Sequence, residues 1–384
     1  MAPTPDVVVI GGGLLGAALG YELAGEGTRT LLVDRSDPGR ATDAGAGILS
    51  PETVGTDDAA WCALAMESGE HYRTLVPALV DAGAADPGYA ECGALQISFR
   101  EGDDATFAAA RDRAQRRSGG VVVEIPPDDA RARFPALGEV RAALHNPRAA
   151  RVDGRRMRSA LLHGAGARGL TVRDASVDDV VVERGRVVAV VAGGERIACG
   201  SVVVAGGAWS PRLGERLGVT LPVAPTRGQI AHLRLEGVET ASWPIVQPVL
   251  SHYTVPWPGG RLAVGGTFEP TAGFDARVTA GGVRELLREV LRYAPGVADA
   301  TLVEVRVGLR PVSVDDTPIL GALPGVDGAF VATGHGANGL LLGPYSARLV
   351  ADAVLGRAPT HPLDAFGVER FTAHLRHGSA SSGS

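Results

Sequence analysis

DVVVIGGGLLGAALGYELAGEGTRTLLVD, residues 6–34, is the stretch whose reading decides the fold. Val7–Ile10 is a short, continuous, β-branched apolar run, the pattern of a strand buried in a parallel sheet. It runs into Gly11-Gly12-Gly13-Leu14-Leu15-Gly16, a G-x-G-x-x-G. Helical spacing follows, with Leu15, Ala18, Leu19 and Leu23 on one face, and closes near Gly27. A second apolar strand, residues 30–33, ends on Asp34.

Each part of this unit has a physical reason. At Gly11 a missing side chain permits a tight turn, at Gly13 it lets a pyrophosphate approach the backbone, and at Gly16 it lets the helix lie close to the strand. Leu14 and Leu15 open the helix, whose free N–H groups and positive dipole end suit phosphate. Asp34 stands 18 residues after Gly16, where a carboxylate can accept both hydroxyls of an adenosine ribose. That charge argues against a 2′-phosphate, so the expected ligand is FAD or NAD rather than NADP.

Composition sets outer limits. A chain of 384 residues that is 45% apolar can bury large cores and is expected to form two domains. A net charge of −6 supplies no basic field for nucleic acid. No apolar run approaches the length of a spanning helix, and the first residues lack a cationic segment, so neither a membrane span nor a signal peptide is expected. Cys62, Cys92 and Cys199 are odd in number and scattered, which suits a reduced, cytoplasmic setting and buried small apolar roles. No metal site is expected. All 37 basic residues are arginines, which excludes a Schiff-base or Walker-A lysine. The tail from His377 reads as disordered.

After Asp34 and Arg35 comes a polar, Gly-rich return loop, RSDPGRATDAGAGILSPE (35–52). It can lay backbone N–H groups and the Thr42 hydroxyl along a pyrophosphate or flavin, or be a plain surface loop. Its cofactor candidates are Arg35, Thr42, Asp43, Ala46, Gly47 and Ile48. Helical spacing covers 57–83, 103–117, 126–134 and 152–168, the last entered through Asp153 as N-cap and left at Gly169. Residues 93–99 alternate like a strand. Residues 175–183, 186–192 and 195–198 form a β-meander with Arg184-Gly185 and Gly193-Gly194 turns. A strand at 201–205 then enters Gly206-Gly207-Ala208-Trp209 and a helix at 210–217. Strands follow at 229–234, 253–256 and 262–265, then an amphipathic helix at 279–293. A strand at 303–311 leads to the last strand, 329–333, and Gly334-His335-Gly336-Ala337-Asn338-Gly339 opens the final helix, 340–355. Strand–glycine–helix junctions thus recur at 11–16, 206–209 and 334–339. A nicotinamide dehydrogenase of the usual kind completes its dinucleotide sheet in one contiguous half, so the interruption favours FAD.

Five blocks carry a family resemblance: VVVIGGGLLG (7–16), VVVAGGAWS (202–210), YTVPWPGGRLAVGGTFEP (253–270), GLRPVSVDDTPILG (308–321) and FVATGHGANGLLLGP (330–344). In this order the chain, from about residue 6 to 370, resembles the D-amino-acid-oxidase superfamily of flavoproteins, in its glycine oxidase and sarcosine oxidase branch. The resemblance implies a mixed α/β fold: a Rossmann-type FAD-binding domain interrupted by an antiparallel β-sheet substrate domain, with the flavin ring at their interface. The expected division is 1–84, 148–220 and 305–376 for FAD, and 85–147 and 221–304 for substrate.

The same resemblance implies roles. Arg310 matches the arginine that grips a substrate carboxylate, which is physically sensible because a guanidinium fork holds a carboxylate bidentately and aims the α-carbon; a surface ion pair is the plainer alternative. Tyr253 matches a tyrosine bonded to the same carboxylate, or is a core tyrosine. Phe268, His252 and Ala337 fall in the substrate pocket, though a sheet aromatic is core by default. Ala205, Gly206, Trp209 and Gly308 fall beside the cofactor, and Val177 on its adenine. Gly334, Gly336, Asn338, Gly339 and Leu340 face the pyrimidine end of the flavin, where a helix N-terminus stabilises negative charge; His335 reads as a packing residue rather than a base.

Departures matter as well. Ala337 stands where glycine oxidases often carry a second arginine. Asp43 replaces a small hydroxyl residue beside the pyrophosphate, unfavourable unless it turns away. No cysteine follows the Gly-Leu-Arg-Pro block, so the flavin is expected to be non-covalent, and no lysine is present to activate oxygen. The implied reaction is oxidation of a small amino acid, glycine-like, N-methylated or D-configured, to an imine and then a 2-oxo acid and ammonia, with O₂ reduced to H₂O₂. A dehydrogenase using another acceptor, or acting on a 2-hydroxy acid, and a flavin-binding protein without turnover stay open. So does a homo-oligomer.

Overall fold

A computed structural model describes residues 4–371; the tail expected to be disordered lies outside them. A six-stranded sheet runs in the order Ile319–Ala322, Ala329–Thr333, Ser201–Val204, Val7–Ile10, Thr30–Asp34, Thr171–Asp174. Its pairs are parallel apart from the edge pair Ile319–Ala322 with Ala329–Thr333. The unbroken apolar run of Val7–Ile10 is explained by burial on both sides. Val7 and Val9 face a core shared with the helices Leu14–Gly25, Gly154–Gly166 and Gly339–Val354, while Val8 and Ile10 face one shared with the meander Val177–Glu183, Arg186–Ala192 and Glu195–Ala198.

The first turn is fixed by two glycines. Gly11 has φ +108°, which side-chain-bearing residues rarely adopt. A Cβ on Gly16 would stand 1.7 Å from the Gly11 carbonyl oxygen, so helix and strand meet here without room for a methyl. The Gly154–Gly166 helix starts where Asp153 accepts from Arg155 N at 2.9 Å and Arg156 N at 3.1 Å.

An eight-stranded sheet runs Thr301–Ser313, Val223–Arg234, Arg261–Gly265, Tyr253–Trp257, Ile245–Pro248, Ala94–Ser98, Ala142–Asn146, Val123–Ile125. It is antiparallel except for one pair: Ile245–Pro248 runs parallel to Ala94–Ser98, because those strands come from two separate excursions of the chain. The helix Ala280–Tyr293 packs Leu286 and Val290 under this sheet against Leu262 and Val264, whereas Leu291 is left exposed. A small sheet of Ile48–Leu49, Ala150–Val152 and Tyr89–Glu91 ties the return loop to the rest. Leu309 N donates to Gly39 O at 2.8 Å, which brings the Gly308-Leu309-Arg310 segment of the long strand against that loop.

Cys199 is buried and Cys62 and Cys92 are half-buried, all as free thiols. Burial raises each of them, so they stay protonated at neutral pH. Among the described residues no helix is long and apolar enough to cross a membrane, and no His/Cys/Asp/Glu group suits a metal ion.

Candidate active site

All three strand–glycine–helix junctions and the Arg310 end of the large sheet open onto one cleft of about 370 Å³, within the range of small-molecule sites (roughly 300–1,000 Å³). Every cofactor or substrate candidate named from the sequence lines it except Gly16, Asp43, His252, Phe268 and Gly334. Gly16 and Gly334 act behind the wall, Gly334 through a left-handed φ of +78°.

Two helix N-termini open onto the cleft. Gly13 and Asn338, the N-cap residues of Leu14–Gly25 and Gly339–Val354, make no side-chain capping bond, so the first-turn N–H groups depend on other partners. Leu14 N finds the Thr42 hydroxyl at 2.9 Å, which leaves the Thr42 proton free to donate into the cleft. The cradle is shaped for a ligand. A Cβ on Gly12 would meet the Asp34 carboxylate at 2.7 Å, whereas one on Gly13 would meet only Thr42 Oγ1, at 3.4 Å. The protein itself therefore demands glycine at 12 and 16, while at 13 the missing methyl leaves room in the cleft.

Asp34 is not free, as its sequence position suggested. Its Oδ2 accepts from Arg40 Nη2, and Arg158 Nη2 stands 3.8 Å away. Arg158 Nε also donates to Gly12 O, and burial lowers the Arg158 pKa from its ordinary value. Arg40 reaches Asp43 as well, at 3.4 Å. Asp43 lies off the cleft, beside a second, smaller cavity that His232 and Glu304 also line. Arg40 thus offsets both acids, Arg158 adds to it at Asp34, and Asp43 is turned away from the cleft. Neither Arg40 nor Arg158 was selected from sequence; Arg40, two residues before Thr42 in the return loop, offered the nearest signal.

Where the large sheet borders the cleft, Tyr253 and Arg310 meet. Tyr253 pairs with Gly265 across the sheet, and Arg310 lies over two glycines: a Cβ on Gly228 would sit 2.3 Å from Nη1, and one on Gly266 2.7 Å from Nη2. Arg310 Nη1 donates to Thr267 O at 2.8 Å. Among the described residues no Asp or Glu forms an ion pair with Arg310, so half-buried positive charge faces the cleft without an internal counter-ion. Burial raises the Tyr253 hydroxyl above its ordinary pKa against the opposing pull of Arg310, so it stays a neutral donor. Gln247, opposite Tyr253 in the neighbouring strand, and Thr53 also line the cleft; sequence reasoning missed them.

Two of the expected pocket residues lie off the lining of this cleft. Phe268 is 64% exposed and absent from the lining, because Thr267 and Glu269 on either side turn their side chains inward. His252 Nε2 bonds Glu285 at 2.9 Å on the surface of the sheet rather than entering the cleft.

His335 lines the cleft yet is buried, its Nε2 3.1 Å from Ser346 Oγ, and burial lowers it to about 3. Burial likewise lowers His71 and His232 to about 4. These imidazoles are neutral in the fold, and burial leaves His335 only weakly basic. Unfolded histidines take up protons near pH 6.5, so their contribution to stability is complete above that pH and is lost as pH falls toward 4. The expected result is a melting temperature that declines already between pH 6.5 and 5, above the carboxylate range, with a smaller decline in His71→Gln. Thermal unfolding across that range checks it; a flat profile contradicts it.

The comparisons with known proteins agree with this geometry. The family model DAO, FAD dependent oxidoreductase, matches residues 6–353. The uncharacterized oxidoreductase YurR of Bacillus subtilis (strain 168) is 36% identical, over 91% of this chain and 95% of its own length. The crystal structure of iminodiacetate oxidase (IdaA) from Chelativorans sp. BNC1 superposes with a TM-score of 0.90 at 37% identity, covering 94% of this chain and 98% of that one. Glycine oxidase from Geobacillus kaustophilus gives 0.89 at 30%, covering 95% and 98%. With its interrupted parallel sheet, its glycine cradle and a family match over most of its length, the chain belongs to the DAO family of FAD-dependent oxidoreductases.

Proposed function

We propose that the protein holds FAD non-covalently in the cleft and oxidises the α-carbon of a small amino acid, with glycine and its N-substituted forms as the first substrates to examine. The observation that carries this reading is Arg310, a half-buried guanidinium facing the cleft beside Tyr253 with no carboxylate paired to it among the described residues. When bound, FAD would accept a hydride from the substrate's α-carbon and pass the electrons to O₂ or another acceptor.

The chain's own residues have simple tasks. Gly11, Gly13, Leu14 and Leu15 would cradle the pyrophosphate, Asp34 and Val177 the adenosine end, and Gly336, Asn338, Gly339 and Leu340 the pyrimidine edge of the flavin. The Arg310 fork and the Tyr253 hydroxyl bind the substrate carboxylate and fix which bond at the α-carbon faces the cofactor. A neutral substrate amine supplies the electron push itself, so no base is required, and burial leaves His335 too weakly basic to serve as one. Water then hydrolyses the imine to a 2-oxo acid and ammonia, or a primary amine where the nitrogen is substituted. Ala337 offers no second cation in the cleft. The amide of Gln247 and hydroxyl of Thr53 leave the cleft near Tyr253 polar, which favours a substituent such as the carboxymethyl group of iminodiacetate, the compound named for the 37%-identical neighbour. The discontinuous division of the chain into cofactor and substrate parts is part of this proposal.

Anaerobic mixing of the purified yellow protein with glycine, sarcosine, iminodiacetate, D-alanine and glycolate, followed by air, tests the reading. Bleaching by an amine and recovery of colour with H₂O₂ release is the expected result. Bleaching by glycolate alone would make it a hydroxy-acid enzyme, recovery only with an added quinone a dehydrogenase, and no bleaching a flavin-binding protein without turnover.

A further inference from the structure

We propose that Glu269 is a positioning residue for substrate binding: through Thr267 it fixes the carbonyl that aims the Arg310 guanidinium. The inference rests on the reading of Arg310 as the carboxylate grip.

The Thr267 peptide is held on each side. Its N–H donates to Gln229 O at 3.2 Å, its hydroxyl accepts from Gln229 N at 2.9 Å and donates to Glu269 Oε1 at 2.6 Å. The same Oε1 accepts from Gln229 Nε2 at 2.8 Å. Glu269 Oε2 takes a fork from Arg227, with Nη2 at 2.6 Å and Nε at 3.0 Å. Arg227 is held in turn by Asp275 Oδ2 at 2.9 Å. Gln229 is anchored beyond the sheet, since Thr279 N donates to its Oε1 at 2.9 Å, and Thr279 is the N-cap of the helix Ala280–Tyr293. Gln229 and Thr267 are fully buried. Burial pushes the Glu269 carboxyl up, but the bonds from Arg227, Thr267 and Gln229 outweigh it and keep the group ionised.

Glu269 is the hub of this network and does not line the cleft. Its reach to the site is one step long: Thr267 O accepts Arg310 Nη1. An arginine is a flexible side chain with a rigid planar fork, and a carbonyl that pins one nitrogen orients the whole plane and leaves the other edge for an incoming carboxylate. Removing the Glu269 carboxylate takes the acceptor from four donor groups, the Thr267 hydroxyl, Gln229 Nε2 and two nitrogens of Arg227, of which Gln229 Nε2 alone keeps another, the Thr279 hydroxyl. The segment then relaxes, and the carbonyl that orients Arg310 moves with it.

The test uses the yellow holoprotein and acetate, a carboxylate with no oxidisable amine, titrated while the visible flavin spectrum is followed. Glu269→Ala is expected to weaken acetate about 10- to 100-fold with flavin retained, as a displacement of roughly 1 Å can do. Glu269→Gln keeps one acceptor oxygen for Thr267 and is expected to stay within about threefold of wild type. A role confined to stability would lower the melting temperature of Glu269→Ala and leave its acetate dissociation constant unchanged, which overturns the inference. Should Glu269→Ala not fold, Thr267→Val carries the test. It removes one hydroxyl at constant volume and is expected to weaken acetate about fivefold, whereas wild-type affinity overturns the inference. A wild-type spectrum that acetate does not perturb overturns the reading of Arg310 and this inference together.

Discussion

Replacing Arg310 by leucine is expected to lower kcat/KM for the amine substrate about 10³-fold while the protein stays folded and yellow. That factor corresponds to about 4 kcal/mol, inside the range of about 2–5 kcal/mol for truncating one partner of a buried, hydrogen-bonded charge pair. The fold is not at stake, because the fork makes no ion pair among the described residues and contacts only Thr267 O and the Tyr253 hydroxyl beside it. The backbone of Arg310 stays paired with Thr226 across the sheet. Lysine at the same position keeps the charge but loses the planar fork, and cannot hold Thr267 O and a carboxylate in one plane; most of the loss is expected to remain. Gly228→Ala is the complementary change. Its Cβ would stand 2.3 Å from Arg310 Nη1, so the fork must move although its chemistry is untouched, and the expected effect is a raised KM. Rapid anaerobic mixing, with the amplitude and rate of flavin bleaching followed against substrate concentration, separates these outcomes. Reduction of Arg310→Leu at the wild-type rate would sink the proposal.

The sequence was most informative where local chemistry dictates local structure. The G-x-G-x-x-G between an apolar strand and a helix could be read because each glycine answers to atoms a few residues away, as Gly16 does to the Gly11 carbonyl. The later junctions at 206–209 and 334–339 repeat that logic, and their wide separation already implied an interrupted sheet. What stayed hidden depends on contacts between distant strands. Gly228, Gly266 and the Thr267 carbonyl are defined by where the Arg310 side chain lies, which no spacing rule expresses. The pairing of Arg40 with Asp34 follows from the path of the return loop, and the Gly-rich composition of that loop left its conformation open. The outward turn of Phe268 was hidden for a related reason: alternation fixes which side chains share a face, but only the network of Gln229, Arg227 and Thr279 decides that Thr267 and Glu269 take the inner one. The parallel pair in the large sheet was also unreadable, because its strands, Ala94–Ser98 and Ile245–Pro248, are brought together by tertiary packing.

Two neighbouring glycines should fail in opposite ways when given a methyl group. Gly16→Ala places a Cβ 1.7 Å from the Gly11 carbonyl oxygen. Both partners are backbone, held by the strand on one side and the helix on the other, so nothing can yield without separating them. A cost of about 3 kcal/mol or more is expected, seen as a large drop in melting temperature or failure to accumulate folded protein. Gly13→Ala differs in kind. Gly13 has φ −70° and ψ −168°, which alanine adopts freely, and its Cβ would meet nothing within 4 Å except Thr42 Oγ1 at 3.4 Å. The flavin-free protein should therefore melt within about 1 kcal/mol of wild type, the scale of a change at a helix N-cap. The methyl does, however, enter the space left for the cofactor, between the first-turn N–H groups and whatever anion they hold. An affinity loss of about 100-fold for FAD is expected, since a pyrophosphate pushed off those donors loses several charge-assisted bonds at once. Melting curves of flavin-free protein and fluorescence titration with FAD give the two quantities separately. If Gly13→Ala binds FAD as tightly as wild type, the cofactor does not lie against this turn; if it melts like Gly16→Ala, the glycine is structural and the cradle has been misread.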